Sequence, residues 1–275
     1  MPRPLVILDF DGTFTDVEVE GAKFIARYED ELRGLLGCEI RELWTAAEAG
    51  LHDPEAGWIV DGRVVAPANC DPYIRATCIA FSVCDALGRL PNREVRTGVL
   101  QVLYAFCYRF TDVAFRPDAA ETLRGLQALG AHLHVVTNSD TDVVKRKLAT
   151  LGFPEIPVIG NAKKYVVDPA AASVADLEDL TLPGLARPIF VRRPHYRRVL
   201  TDLWAEYDAT AESTLVCGDI FELDLALPLA LGCRGHLLER PNALEIERLA
   251  LQSFGERGTS SSELAALVEV ARHLA

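Results

Sequence analysis

The sequence predicts an α/β fold: a parallel sheet flanked by helices, interrupted near its start by a mainly helical segment. Three observations carry that expectation. Leu5-Val-Ile-Leu8 is an apolar run ending abruptly at Asp9, too short for a helix and continuous enough for a strand buried on both faces. From about residue 115 onward, strand-like runs alternate with helical periodicity, as in sheets whose crossovers are helices. Between these parts, residues 16 to 115 carry mostly helical spacing.

The first strand ends in Asp9-Phe-Asp11-Gly12-Thr13. Its acids therefore sit at a carboxyl end, where open parallel sheets bind ligands. One intervening residue and a glycine put Asp9 and Asp11 at a tight turn where both can face one cation.

In the inserted segment, Phe24, Tyr28, Leu32, Leu35 and Leu36 recur three and four apart up to Gly37, as on an amphipathic helix. Ile40, Leu43, Trp44 and Ala47 suggest a second helix. Trp58 to Val65 reads as a hairpin turning at Asp61-Gly62, a pair that supplies the positive backbone angles of a two-residue turn. Asp71 and Pro72 open a third helix as cap and first residue. A fourth runs from about Asn92 to Arg109, with Leu100, Leu103, Tyr104 and Cys107 as its apolar stripe.

A helix entered at Pro117 and stopped by Gly130 then leads into the strand from His132, which ends in Thr137-Asn138-Ser139. Ser139 with Asp142 can cap the next helix, Thr141 to Leu151, and Ile156 to Ile159 forms a short strand. Residues 166 to 188 read as a loop or small flap. Pro194 to Tyr207 is a helix, and Thr214-Leu-Val-Cys217-Gly218-Asp219 is a buried strand again tipped with acid. Pro228 predicts a kink in a helix starting near Glu222. Gly235 to Glu239 is a last strand, and Leu244 to Phe254 and Ser260 to Leu274 are surface helices, the second opened by Ser260 and Glu263 as a capping box.

Composition limits the functions open to such a fold. A net charge of -12 disfavours nucleic-acid binding, which needs clustered Lys and Arg. Seven scattered cysteines without a CxxC pair look like reduced core residues and argue against zinc. His195, His236 and His273 lack metal-ligand spacing. No apolar stretch reaches the roughly 20 residues that span a bilayer, and the run after Pro4 is too short for a signal peptide. The expectation is a cytoplasmic protein with no membrane or nucleic-acid partner.

Taken together, DxDGTxxD at Asp9–Asp16, the strand ending Thr137-Asn138, and Gly218-Asp219 with Asp224 following resemble, in order, motifs of the haloacid dehalogenase-like hydrolases. The resemblance implies a Rossmann-like core, residues 1–15 and 116–275, with a helical cap, residues 16–115, that excludes water and selects substrate. It implies Asp9 as nucleophile, Asp11 as general acid and base, and Thr137 with Asn138 holding a phosphoryl group. It also implies Mg2+ bound by Asp9, the backbone carbonyl of Asp11 and Asp219, with Asp224 ordering metal-bound water or a lysine.

The family's basic residue is less plain. A Lys-Pro pair usually stands about 25 residues before the fourth motif, and here Arg193-Pro194 lies 26 residues before Asp219. Arginine is a rigid fork and lysine a flexible point charge, so Lys163 or Lys164 must also be weighed. Alternation from Val158 through Gly160 and Ala162 places Lys164 on their face and favours it.

The activity implied is hydrolysis of a small phosphate ester through an aspartyl phosphate. Dehalogenases of the superfamily lack the second acid that Asp11 supplies, and its ATPases carry Thr there. A phosphonate hydrolase would need a cap lysine, for which Lys23 is the sole candidate. A phosphomutase would keep all four motifs, and a binding protein with a decayed core is the reading of a different class.

Overall fold

The computed structural model describes residues 3–274. In chain order the elements are β1 (Leu5–Leu8), α1 (Val17–Leu36), α2 (Arg41–Ala49), β2 (Gly57–Val60), β3 (Arg63–Pro67), α3 (Pro72–Ala86) and α4 (Arg93–Tyr108). There follow α5 (Ala119–Ala128), β4 (His132–Val136), α6 (Thr141–Leu151), β5 (Val158–Ile159), α7 (Pro194–Tyr207) and β6 (Thr214–Gly218). The chain closes with α8 (Ala226–Ala230), β7 (Arg234–Leu238), α9 (Glu245–Gln252), β8 (Gly258–Ser261) and α10 (Ala266–Arg272). Six parallel strands form one sheet in the order β5-β4-β1-β6-β7-β8. This is a Rossmann-like α/β fold.

Alternation along β1 explains the layering. Leu5 and Ile7 join an apolar cluster with Tyr196 and Leu200 of α7, Leu229 of α8 and Leu251 of α9. Val6 and Leu8 point the other way, into a cluster with Leu123 of α5, Leu148 of α6 and Leu267 of α10. Successive side chains of a strand face opposite sides, so a strand covered by helices on both faces must be apolar throughout. Burying each such side chain stabilises the fold by about 1.5–3 kcal/mol.

The inserted segment has a cluster of its own: Phe24, Tyr28 and Leu32 of α1, Trp44 of α2, Ile79 and Val83 of α3, and Leu100 of α4. Asp16 caps α1 by accepting from Val19 N–H, and Gly37 ends it in a left-handed conformation. Asp71 caps α3 through Ile74 N–H, with Pro72 at its first position. Asp61 and Gly62, at φ 48° and 76°, turn the β2–β3 hairpin.

Two expectations need correction, and the kink expected at Pro228 takes a definite form. Ser260 does not cap a helix: Gly258–Ser261 is an edge strand pairing with β7, and the last helix begins at Ala266. Its run of Gly, Thr and Ser lacks the apolar signal of a strand. Asp140, not Ser139, caps α6, because the Ser139 hydroxyl is taken up by Asp11. Near Pro228, residues Phe221–Leu225 make a wide π turn that continues into the short α8. Proline has no N–H for the carbonyl four residues back, and that carbonyl, of Asp224, accepts from the Tyr196 hydroxyl at 2.9 Å instead.

Candidate active site

The site lies where β1, β4 and β6 end side by side. The Asp9 N–H donates to Cys217 C=O at 2.8 Å, which ties the tip of β1 to β6. Gly12, at φ 81°, turns the chain back; a Cβ there would sit 2.2 Å from Asp219 Oδ2, so only glycine permits this approach. Arg116 locks the turn by donating to Gly12 C=O at 2.9 Å. Gly218 plays the matching part in β6, where a Cβ would meet the Asp224 side chain at 2.4 Å.

Asp9, Asp219 and Asp224 each offer a carboxylate oxygen within 4.8 Å of the others, and all three are buried. The two acid-tipped strands thus meet as one centre. Burial pushes the Asp9 carboxyl up to about 8, against the pull of Lys164. Burial also drives Asp219 well above the usual carboxylate range, with Arg240 opposing. Among the described residues both Asp219 carboxylate oxygens are buried without a hydrogen-bond partner, and the Arg240 guanidinium is 3.9 Å from Oδ2. Unpaired buried carboxylates are costly. An oxygen-only donor set around such orphaned atoms fits a hard divalent cation such as magnesium.

Lys164 bridges two of these acids. Its Nζ donates to Asp9 Oδ1 at 2.7 Å and to Asp224 Oδ1 at 2.8 Å, with the side chain 1% exposed. Asp224 Oδ2 accepts from Ile220 N–H at 3.0 Å, so the same carboxylate shapes the loop after β6. The Lys164 N–H donates to Asn138 Oδ1 at 2.8 Å. Lys163, with φ 51°, is exposed on the other side.

Arg193 does not reach the carboxylates. Among the described residues its guanidinium donates only to backbone carbonyls, of Phe190 (2.7 Å), Lys164 (2.5 Å) and Val65 (3.0 Å). It clamps the lysine loop to the β3 strand, and burial lowers its pKa to about 10.

Asp11 is turned away from the three-acid group. Ser139 Oγ donates to its Oδ2 at 2.5 Å, and Lys147 Nζ lies 3.4 Å from Oδ1. Lys147 also donates to Glu20 Oε1 at 2.9 Å, and Glu20 in turn accepts from Ala114 N–H. This link from the first turn of α1 to Asp11 was missed in the sequence, where no local pattern joins residues so far apart. Thr137 is buried; its Oγ1 accepts from Ser139 N–H at 3.1 Å, leaving its proton free to donate. The chain from Asn69 to Ile74 packs on the loop after β6: Cys70 and Ile74 cluster with Ile220 and Leu223, and Asn69 exchanges hydrogen bonds with Asn242.

A parallel sheet carrying a carboxylate centre at its strand ends, beneath an inserted helical segment, defines a hydrolase class. The chain belongs to the haloacid dehalogenase-like hydrolases, the family matched over residues 4–219. No curated protein sequence matches it. Among solved structures, it is similar to a predicted phosphoglycolate phosphatase from Haemophilus somnus 129pt, at 14% identity over 98% of this chain and 97% of that one, TM-score 0.57. It is also similar to the HAD-family protein YfnB of Bacillus subtilis bound to magnesium, at 14% identity over 98% and 99%, TM-score 0.53. A third is SP0104 of Streptococcus pneumoniae, at 12% identity over 98% of each chain, TM-score 0.56. At these identities the likeness is one of fold. Among the described residues no helix is long and apolar enough to cross a membrane.

Proposed function

We propose that the protein is a magnesium-dependent phosphatase that hydrolyses a small phosphorylated metabolite in the cytoplasm. Residues 1–15 and 116–275 serve as its catalytic core and 16–115 as its cap. The observation that carries this reading is the buried Lys164 ammonium shared by Asp9 and Asp224, beside an Asp219 whose carboxylate oxygens accept no hydrogen bond among the described residues. The free thiols of all seven cysteines suit a reducing compartment.

Asp9 attacks the phosphorus of the monoester and becomes an aspartyl phosphate, while Asp11 gives the departing oxygen its proton. Asp11 then takes a proton from water as that water cleaves the phosphorus–oxygen bond to Asp9, and inorganic phosphate leaves. Thr137 and Asn138 hold the phosphoryl oxygens, and Lys164 offsets their charge. Asp9, the Asp11 carbonyl, Asp219 and Asp224 would hold Mg2+, whose charge stabilises the equatorial oxygens when bound.

The presence of Asp11 argues against dehalogenation. Lys23 gives no support to phosphonate hydrolysis: it is 66% exposed and pairs with Asp112 at 2.9 Å. The test is phosphate release from p-nitrophenyl phosphate with and without Mg2+. The expected result is release that needs the metal and is lost in Asp9→Asn; an inactive folded protein across a broad ester panel would instead favour a binding role.

A further inference from the structure

We propose, building on the phosphatase reading, that the substrate's alcohol portion is a flat aromatic ring system without a second anionic group. An aryl or nucleoside monophosphate fits; a short phosphorylated carboxylic acid does not.

The space above the carboxylates is a cavity of about 1300 Å³ that extends from Asp9 and Asp11 to α3 and α4. Ligand pockets commonly hold about 300–1,000 Å³, so the room far exceeds what a phosphate and a two-carbon acid would fill. Two groups of aromatic rings line it. Tyr73, Tyr104 and Tyr108 form one group, with Tyr104 and Tyr108 stacked at 5.8 Å and 13° between planes. Trp58 of the β2–β3 hairpin and Tyr165, which follows Lys164 in the chain, form the other, 5.1 Å apart. A leaving group attached to phosphorus at Asp9 would therefore extend into a space bordered by aromatic side chains, which favour another ring.

The charges point the same way. Among the described lining residues Arg93 is the sole cation, and its guanidinium already lies 5.5 Å from the Phe81 ring centre. Asp61, Asp71 and Glu94 also line the cavity, so a carboxylate on the substrate would meet repulsion there. Thr77, Thr97 and Gln101 supply neutral partners for ring heteroatoms.

The test compares kcat/KM for 1-naphthyl phosphate, adenosine 5′-monophosphate, glycerol 3-phosphate and phosphoglycolate, using full-length protein with Mg2+. Either ring-bearing ester should exceed phosphoglycolate by at least about tenfold, the scale of one stacked ring. Trp58→Ala and Tyr165→Leu should each raise KM for 1-naphthyl phosphate about tenfold and change glycerol 3-phosphate less than about twofold. Phosphoglycolate preferred over both ring-bearing esters, or equal effects of the variants on both substrates, would overturn the substrate class and leave the phosphatase reading standing. No release from any ester by folded protein would overturn that reading and this inference with it.

Discussion

Lys164 donates to the Asp9 carboxylate at 2.7 Å across 155 residues of chain. Held also by Asp224, the ammonium has little freedom to leave, and its charge lies where a phosphoryl group on Asp9 would gather negative charge. Lys164→Met should therefore lower kcat by about 10²–10³, the usual cost of losing one preorganised donor to a charged transition state. Arg193→Met should act on folding: two buried carbonyls and a half-buried one lose a donor, at about 1–3 kcal/mol for each buried one left unsatisfied. Steady-state kinetics and urea unfolding of the two variants separate these effects.

Asp219 contributes no hydrogen bond through its side chain and is buried. Removing its charge should relieve the protein when metal is absent. Asp219→Asn should raise the Tm of chelator-treated protein by a few degrees, about 2–4 °C per kcal/mol for a chain of this size. It should also abolish any rise in Tm on adding Mg2+. Scanning calorimetry with EDTA and with Mg2+ reads both effects.

His236 is buried between Thr259 Oγ1 at 2.8 Å and Ser261 Oγ at 2.9 Å, and burial lowers its pKa from 6.5 to about 4. A group with a depressed folded pKa favours folding fully above its unfolded value and loses that contribution as pH falls toward its folded one. Stability should drop by about 2 kcal/mol between pH 7 and pH 5 from this residue alone. In His236→Gln the drop over that interval should shrink by that amount, as urea midpoints at the two pH values would show.

The Tyr196 hydroxyl supplies the hydrogen bond that Pro228 cannot. Tyr196→Phe leaves the Asp224 carbonyl buried and unpaired, which should cost about 1–3 kcal/mol. Because Asp224 also holds Lys164, kcat should fall as well. A variant that loses stability with kcat intact would show that the carbonyl does not steady the site.

Much of this arrangement could be read in the sequence because its signals are local. An apolar run cut off by acid marks a strand end at Asp9 and again at Asp219, and alternation from Val158 puts Lys164 on the buried face. The edge strand Gly258–Ser261 escaped notice because hydroxyl residues at a sheet edge leave no apolar pattern. The Glu20–Lys147–Asp11 link had no local signal at all, since its partners come together only when α1 and α6 pack beside the first turn. Arg193 matched the motif's spacing, yet the fold spends its guanidinium on carbonyls and gives the carboxylates a lysine from the preceding loop.

The central claim is that Asp9 carries the phosphoryl group during turnover. Acid-quenching the protein in mid-turnover with Mg2+ and mapping its peptides by mass spectrometry addresses this directly. One phosphoryl group, labile to base, is expected on the peptide containing Asp9, and none in Asp9→Asn. A phosphoryl group on any other residue, or undiminished phosphate release by Asp9→Asn, would contradict it.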